Sequence, residues 1–417
     1  MASQASPQAV LRASVAAAAI AVVFLLTFIP PGNDDLWLNV AIGRIIRTSG
    51  EIPATALFPF TEAAGFPFHA PDWLASVALY LLHEGLGRDR LIFANGVLGL
   101  ILFCLAWRLA FRLTAGFGAS LLAALAFMAA VNYRHYLGPE LFALIFAVIV
   151  LSLLAAYRSS RKWRHLLGCV PVALLWANSH GSFPFALVLA ATFAALAAIE
   201  VRSARAAAPY LACGALMTLA MLVNPYGVHV FRFAGEGTRG FWAFAAVACL
   251  YPLSAALRPV AAALDRSRAA QGALVAILAA CVALLVRYGN LYGAYPYFVA
   301  SNHFSPALID YVEARKFEGN VLNSPALGAE LVYRFYPRLR PAVDSRIDVY
   351  GQDYFDRLLK VQNEEPALRQ FVERYRVRFI LLLWPEFEAG VRRMPRLQDD
   401  GWRIVFADHK MVMLERP

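Results

Sequence analysis

From Ala9 to about Tyr297 the chain is a succession of apolar runs broken by short polar turns. A run of about 20 apolar residues, coiled as an α-helix, spans the roughly 30 Å hydrocarbon core of a bilayer and satisfies its own backbone there. The runs predict about nine spans, at Leu11–Ile29, Leu91–Phe111, Ala115–Val131, Glu140–Tyr157, Leu166–Asn178, Phe183–Val201, Pro209–Val223, Phe241–Leu257 and Gly272–Arg287. Composition points the same way: 60% of the 417 residues are apolar and 16% charged, whereas a soluble globule carries about 25% charged residues. The expected fold class is a polytopic α-helical membrane protein over residues 1–303, followed by a small soluble α/β domain over residues 304–417.

The formal charge of +10 does not describe a nucleic-acid face, because the cations sit in short loops between apolar runs, as in Arg158, Arg161, Lys162 and Arg164. That is the positive-inside pattern. With a cytoplasmic N-terminus, the loops carrying Arg108 and Arg112, Arg158 to Arg164, Arg202 and Arg205, and Arg258, Arg266 and Arg268 all fall on the cytoplasmic side. The first run is too long for a signal-peptide core and lacks a small-residue cleavage site, so it reads as a retained span. Trp73–Leu86 is apolar but short and holds His83 and Glu84. If it crossed the membrane, every later basic loop would flip outward, so it reads as an interfacial helix. All five cysteines lie in apolar runs, as small packing residues.

The external face then receives a long loop, residues 30–90, and the C-terminal domain. Long loops in compact proteins are usually functional. This one opens Asn33-Asp34-Asp35-Leu36-Trp37, where the first span leaves the membrane. Adjacent carboxylates at a lipid boundary are costly unless they face water, a cation or a polar substrate. One of the pair Asp34 and Asp35 is a candidate catalytic carboxylate that could take a proton from a hydroxyl at the bilayer surface. The competing reading makes Asp34 the helix cap and Asp35 a solvated neighbour. Leu36, Val40, Ile42, Ile45 and Ile46 predict an amphipathic interfacial helix, and Phe58, Phe60, Phe66, Phe68 and Trp73 suit the headgroup zone.

Other polar groups share that face. Arg134 and His135, in Asn132-Tyr133-Arg134-His135-Tyr136, are candidates for a lipid phosphate, with Glu140 as a second carboxylate; an aromatic-basic anchor explains the same residues. Asn178-Ser179-His180-Gly181-Ser182 breaks one apolar run into two, and a polar turn at that depth must reach water or line a cavity. Asn178 and His180 are therefore candidates, against the plainer reading of a locally bonded turn. Arg232, beyond Asn224-Pro225-Tyr226-Gly227, adds an external cation suited to phosphate.

In the C-terminal stretch, strands are predicted at Asn320–Asn323, Pro341–Asp344 and Val377–Leu383, the last being the most apolar and central. Helices are predicted at Ala326–Tyr336, Tyr354–Tyr375 and Glu386–Leu397, and a hairpin closes Trp402–Ala407 on Met411–Glu415. Val343-Asp344-Ser345-Arg346 follows the second strand, at the edge where open α/β sheets bind ligands. Asp344 and Arg346 either orient a ligand or form a buried pair bracing the loop. No glycine-rich phosphate loop follows the first strand, which argues against a nucleotide-sugar enzyme.

Together, the Asp-Leu-Trp exit from the first span, Gly43 to Pro53 (GRIIRTSGEIP), FPFTEAAGFPF, DWLASVALY, Trp176 to Phe183 (WANSHGSF), Asn224-Pro225-Tyr226-Gly227 and Val343 to Gly351 (VDSRIDVYG) resemble the GT-C glycosyltransferase superfamily. The likeness is to a bacterial group related to protein O-mannosyltransferases, aminoarabinose transferases and oligosaccharyltransferase catalytic subunits. It implies a multi-pass protein of the bacterial inner membrane with its site on the periplasmic side, a polyprenyl-phosphate-linked sugar as donor, and Asp35 as general base of an inverting transfer. Tyr350, in the last motif, joins Asp344 and Arg346 on the acceptor side. Partners are the donor and membrane lipid, with no nucleic acid. No residue spacing specifies a cofactor or metal, although the adjacent acids could hold a divalent cation. The group commonly has a histidine at Asn39 and an Arg-Pro pair at Gly138-Pro139, which motivates the alternative of a non-catalytic partner in envelope polysaccharide assembly. A transporter is a third reading, disfavoured because no charge sits deep in a predicted span and no internal repeat is visible.

Overall fold

The computed structural model describes residues 7–28, 34–114, 116–131, 136–234, 241–256, 259, 266–291, 304–383 and 401–416. The chain divides into two compact units, one of residues 1–31 and 81–300, the other of residues 32–80 and 301–417. Sequence separates the long first loop from residues 304–417; compactness groups them.

The first unit is helical: α1 (Pro7–Thr27), then α4 (Leu91–Thr114), α5 (Phe117–Val131), α6 (Pro139–Ser160), α7 (Arg164–Ala177), α8 (Phe185–Val201), α9 (Ala208–Met221), α10 (Phe241–Ala256) and α11 (Arg268–Leu291). Among the described residues, four helical stretches are long and apolar enough to cross a membrane: Gln8–Thr27, Arg88–Thr114, Pro139–Ser160 and Ala204–Met221; five further apolar helices are shorter. Local chemistry sets the ends. Pro139 opens α6, where its missing N–H costs nothing, and Arg161 closes it in the left-handed region at φ 56° with its N–H on the Tyr157 carbonyl. Small residues let α1 and α4 approach closely: a Cβ on Gly99 would meet the Thr27 side chain at 2.5 Å, and the Asn95 amide donates to the Thr27 carbonyl at 2.7 Å. Tyr157, Tyr210, Phe193 and Tyr251 form a chain of ring contacts inside the bundle.

The second unit contains a five-stranded sheet of β1 (Gly319–Asn323), β2 (Leu339–Pro341), β3 (Val377–Leu383), β4 (Arg403–Ala407) and β5 (Met411–Glu415), in the order β2-β1-β3-β5-β4. β1 runs parallel to β2 and β3, and β5 antiparallel to β3 and β4. Alternation along the strands supplies two apolar faces. Phe379, Leu381 and Met413 pack with Leu308 and Val312 of α12 (Pro306–Arg315) and with Leu327, Leu331 and Phe335 of α13 (Pro325–Phe335). Ile380, Val412 and Leu414 pack with Leu358 and Val361 of a helix at Gln352–Asn363 and with Leu368 and Val372 of another at Glu365–Tyr375. A one-turn helix, α14 (Ile347–Tyr350), precedes this pair, which we label α15 and α16.

Four sequence expectations are corrected here. The single helix expected over Tyr354–Tyr375 is two, because Glu364 is extended (φ −121°) and Pro366 starts a new first turn that cannot continue the old one. The strand expected over Pro341–Asp344 ends at Pro341, since Val343 and Asp344 turn into the loop. The helix expected to lie along the bilayer surface, α2 (Asp34–Ser49), is buried on every side from Leu36 to Gly43, with Leu38, Ala41 and Ile42 packed on Ala329 and Val332 of α13. Phe58 and Phe68, expected at headgroups, lie in this same core. Trp73–Leu86 is helical as expected (α3), while the helix expected at Glu386–Leu397 lies outside the described residues.

Candidate functional site

The site residues of the second unit converge because the long loop folds as part of it. A short antiparallel ribbon, with Ala56 N–H on the Phe66 carbonyl and Phe68 N–H on the Ala54 carbonyl, presents Phe58 and Phe68 together. The ribbon is fastened to the sheet edge by Phe60 N–H donating to the Pro341 carbonyl at 3.2 Å and by the Arg340 guanidinium on the Pro59 carbonyl. Where β1 ends, the buried Asn323 side chain donates to the Val343 carbonyl (2.8 Å) and accepts from Ala342 N–H (2.9 Å). Tyr354 donates to the Ala342 carbonyl at 2.7 Å and shares a hydrogen with Thr61. The loop carrying Asp344 is therefore tied down before it turns.

Asp344 is fully buried and accepts four hydrogen bonds. The Arg346 fork reaches both its oxygens, Nε to Oδ1 at 2.8 Å and Nη2 to Oδ2 at 2.6 Å; Arg346 N–H adds a bond to Oδ1 at 3.1 Å, and Tyr350 donates to Oδ2 at 2.8 Å. A bidentate pair with every lone pair used is the condition under which a buried ion pair is tolerated. The guanidinium also lies between Phe58 and Phe68, 5.1 and 4.7 Å from their ring centres. Burial works against the Arg346 charge, but Asp344 outweighs it and lifts the group above its ordinary pKa. Burial and the adjacent Asp344 push the Tyr350 phenol well above its ordinary value, so it stays a donor. Of the two readings of Asp344 and Arg346, a braced loop is what the side chains form.

The brace presents the residue between its two members. The Ser345 hydroxyl donates to Oδ1 of Asp35 at 3.2 Å. Asp35 is exposed in the first turn of α2, where the helix dipole favours negative charge. The turn is held by Asn39, whose buried amide donates to the Asp35 carbonyl (2.8 Å) and whose Oδ1 accepts from Ser76 (2.6 Å). Such an exposed, hydrogen-bonded carboxylate on a rigid helix end can orient and deprotonate a hydroxyl.

A further cluster ties the ribbon to α15 and α16: Glu62 accepts from Tyr375 and from Arg357. Burial raises the Glu62 pKa, but the Tyr375 hydroxyl, a backbone N–H, Arg357 and Arg374 together hold it below the usual carboxylate value.

The structure thus brings together Asp35, Asp344, Arg346 and Tyr350. The remaining candidates, Asp34 excepted, belong to the helical unit. His180 is buried in the turn after α7; its Nδ1 accepts from Ser182 N–H at 3.1 Å and meets Ser182 Oγ at 2.7 Å, while Trp176 Nε1 donates to the same Oγ at 3.1 Å. Asn178 donates to the Leu174 and Val223 carbonyls, joining the ends of α7 and α9. Glu140 sits in the first turn of α6, and Arg232 is exposed in a 3-10 turn, Gly227–Phe233. Arg134, His135 and the side chain of Asp34 lie outside the described residues. Among the described residues, no three His, Cys, Asp or Glu side chains gather as a metal site. Sequence reasoning missed Ser345, Asn323, Phe58 and Phe68 as site residues; the buried-type Asn323 at a strand end and the small Ser345 inside a charged motif were the available signals.

No family model and no curated protein matches the chain. Among solved structures it is similar to the archaeal oligosaccharyltransferase AglB from Archaeoglobus fulgidus in complex with an inhibitory peptide and a dolichol-phosphate, at 12% identity over 92% of this chain and 71% of that one, with a TM-score of 0.52. An Archaeoglobus fulgidus oligosaccharyltransferase in complex with Zn and sulfate aligns at 13% identity over 91% and 69%, with a TM-score of 0.47. At such identities a likeness speaks to fold and not to activity. The likeness is one of fold: the chain shares the overall fold of that AglB structure.

Proposed function

We propose that the protein is a membrane glycosyltransferase that moves a sugar from a polyprenyl-phosphate donor to an envelope glycan, lipid or protein acceptor on the periplasmic side of the bacterial inner membrane. The observation that carries this reading is the exposed Asp35 carboxylate, which meets Ser345 at the start of a buried helix whose first turn Asn39 holds through the Asp35 carbonyl. The GT-C-type fold supports it, as does the dolichol-phosphate carried by the AglB structure. Asp35 takes the proton of the acceptor hydroxyl as its oxygen attacks the anomeric carbon; the bond from that carbon to phosphate breaks and polyprenyl phosphate leaves, with inversion. Arg134, His135, His180 and Arg232 are assigned to the donor phosphate, and Glu140, Asn178, Asp344, Arg346 and Tyr350 to acceptor binding or support. About nine spans and a periplasmic domain over residues 304–417 complete the proposal. Asp34 and Asp35 are the residues that would hold a divalent cation.

The test is release of polyprenyl phosphate by the purified full chain from polyprenyl-phosphate mannose, glucose and aminoarabinose, with extracted envelope glycan, lipid and protein supplied as acceptor. Turnover by wild type that Asp35→Asn abolishes, with unchanged thermal unfolding, supports the reading; full turnover by Asp35→Asn overturns the base. One observation favours a second reading, a non-catalytic partner in polysaccharide assembly. Asn39 stands where the resembling group has histidine, and its amide is used inside the unit. Failure of wild type to bind any of the three donors would favour that reading.

A further inference from the structure

Ser345 stands between two anchors. On one side Asn323 and Tyr354 hold Ala342 and Val343 by three hydrogen bonds. On the other, backbone and side chain of Arg346 close on Asp344, itself fully buried. Loop hydroxyls ordinarily sample several rotamers and follow a mobile backbone; here the backbone on both flanks is fixed by buried groups. That rigidity ends on a solvent-facing contact, the 3.2 Å bond to Asp35.

We propose that Ser345 is a positioning residue for Asp35, its hydroxyl fixing the torsion of the carboxylate that takes the acceptor proton, and the Asp344–Arg346 pair serving to hold that hydroxyl in place. The inference rests on Asp35 being the base. A general base gains rate only when held close to the productive geometry, and a displacement of about 1 Å costs up to ~100-fold. The Ser345 hydrogen bond on that exposed carboxylate secures part of that. The pair beside Ser345 is closed and of zero net charge, so removing the hydroxyl changes the donor without changing local charge.

Two measurements on the full chain in lipid nanodiscs test this. The first labels carboxylates with a water-soluble carbodiimide and glycine ethyl ester and follows each site by mass spectrometry, with exposed Glu51 as internal reference. Ser345→Ala should label Asp35 several-fold faster with Glu51 unchanged, and Ser345→Thr, which keeps the hydroxyl, should return Asp35 to the wild-type rate. Equal Asp35 rates in Ser345→Ala and wild type overturn the proposal, and so does a parallel rise at Glu51, which marks general loosening. The second uses whichever of the three donors wild type turns over. Ser345→Ala should lower kcat about tenfold at unchanged KM, with recovery in Ser345→Thr; an unchanged kcat, or a loss confined to KM, overturns it. Full turnover by Asp35→Asn would instead remove the base assignment, while the labelling result still decides the Ser345 contact, so the two failures are separable.

Discussion

A Cβ placed on Gly328 of α13 would lie 2.1 Å from the carbonyl oxygen of Val343 and 2.6 Å from Cα of Asp344, so the helix and the site loop meet backbone to backbone. No side chain can be accommodated there without moving one of them. Gly328→Ala gains about 1 kcal/mol of helix propensity, but the overpacking costs about 1–3 kcal/mol and falls on the Asp344 turn. The variant should unfold at lower temperature, and Asp35 should label faster with carbodiimide because Ser345 is displaced with the loop.

The Asp344–Arg346 pair gives a double-mutant cycle. Asp344→Asn or Arg346→Met alone leaves the partner buried and uncompensated, a loss of about 3–5 kcal/mol. The double variant should lose clearly less than the sum of the two, because no lone charge remains. Additive losses, measured by thermal unfolding of the full chain, would show that the pair does not act as a unit.

Acid should loosen the ribbon through Glu62. Its folded pKa lies below the ordinary glutamate value of 4.5, so its contribution is complete above that value and is lost as pH falls through the lower folded one. The stability difference between wild type and Glu62→Gln should therefore be flat above pH 4.5 and shrink below it. A difference that shrinks between pH 7 and 5 contradicts the assignment.

At the start of α2, Asn39→Ala leaves the buried Ser76 hydroxyl without its 2.6 Å acceptor. A loss of about 1–3 kcal/mol is expected. Replacing both partners, as in Asn39→Leu with Ser76→Ala, should recover part of it, since neither polar group is then stranded. Thermal unfolding of the two variants side by side gives the comparison.

Much of this unit was legible in the chain. The apolar run Val377–Leu383 announced the central strand and the helix expected over Ala326–Tyr336 is there as Pro325–Phe335, whereas the helix Pro306–Arg315 was not foreseen. Proline also explains the one helix that became two, because the periodicity of residues 354–375 continues across Pro366 and hides the break. The candidate site was legible only as separate motifs. Asp35 and Asp344 each stood out as an acid beside a membrane exit or a strand end, but nothing local joins residues 310 positions apart such as Asp35 and Ser345. Phe58 and Phe68 misled for the same reason: an aromatic that stacks on a buried guanidinium has the same local signature as one that sits among headgroups.

The unit that carries Asp35 is discontinuous, with residues 32–80 separated from 301–417 by the whole of residues 81–300. During synthesis the early piece emerges with its apolar helix complete long before the strands and helices that will cover Leu38, Ala41 and Ile42 have been translated. The Asp35–Ser345 contact thus cannot form until residue 345 has been translated. A chain that stops between residues 300 and 328 has the helices of the first unit, but neither Ala329 and Val332 to cover Leu38, Ala41 and Ile42 nor Ser345 to meet Asp35.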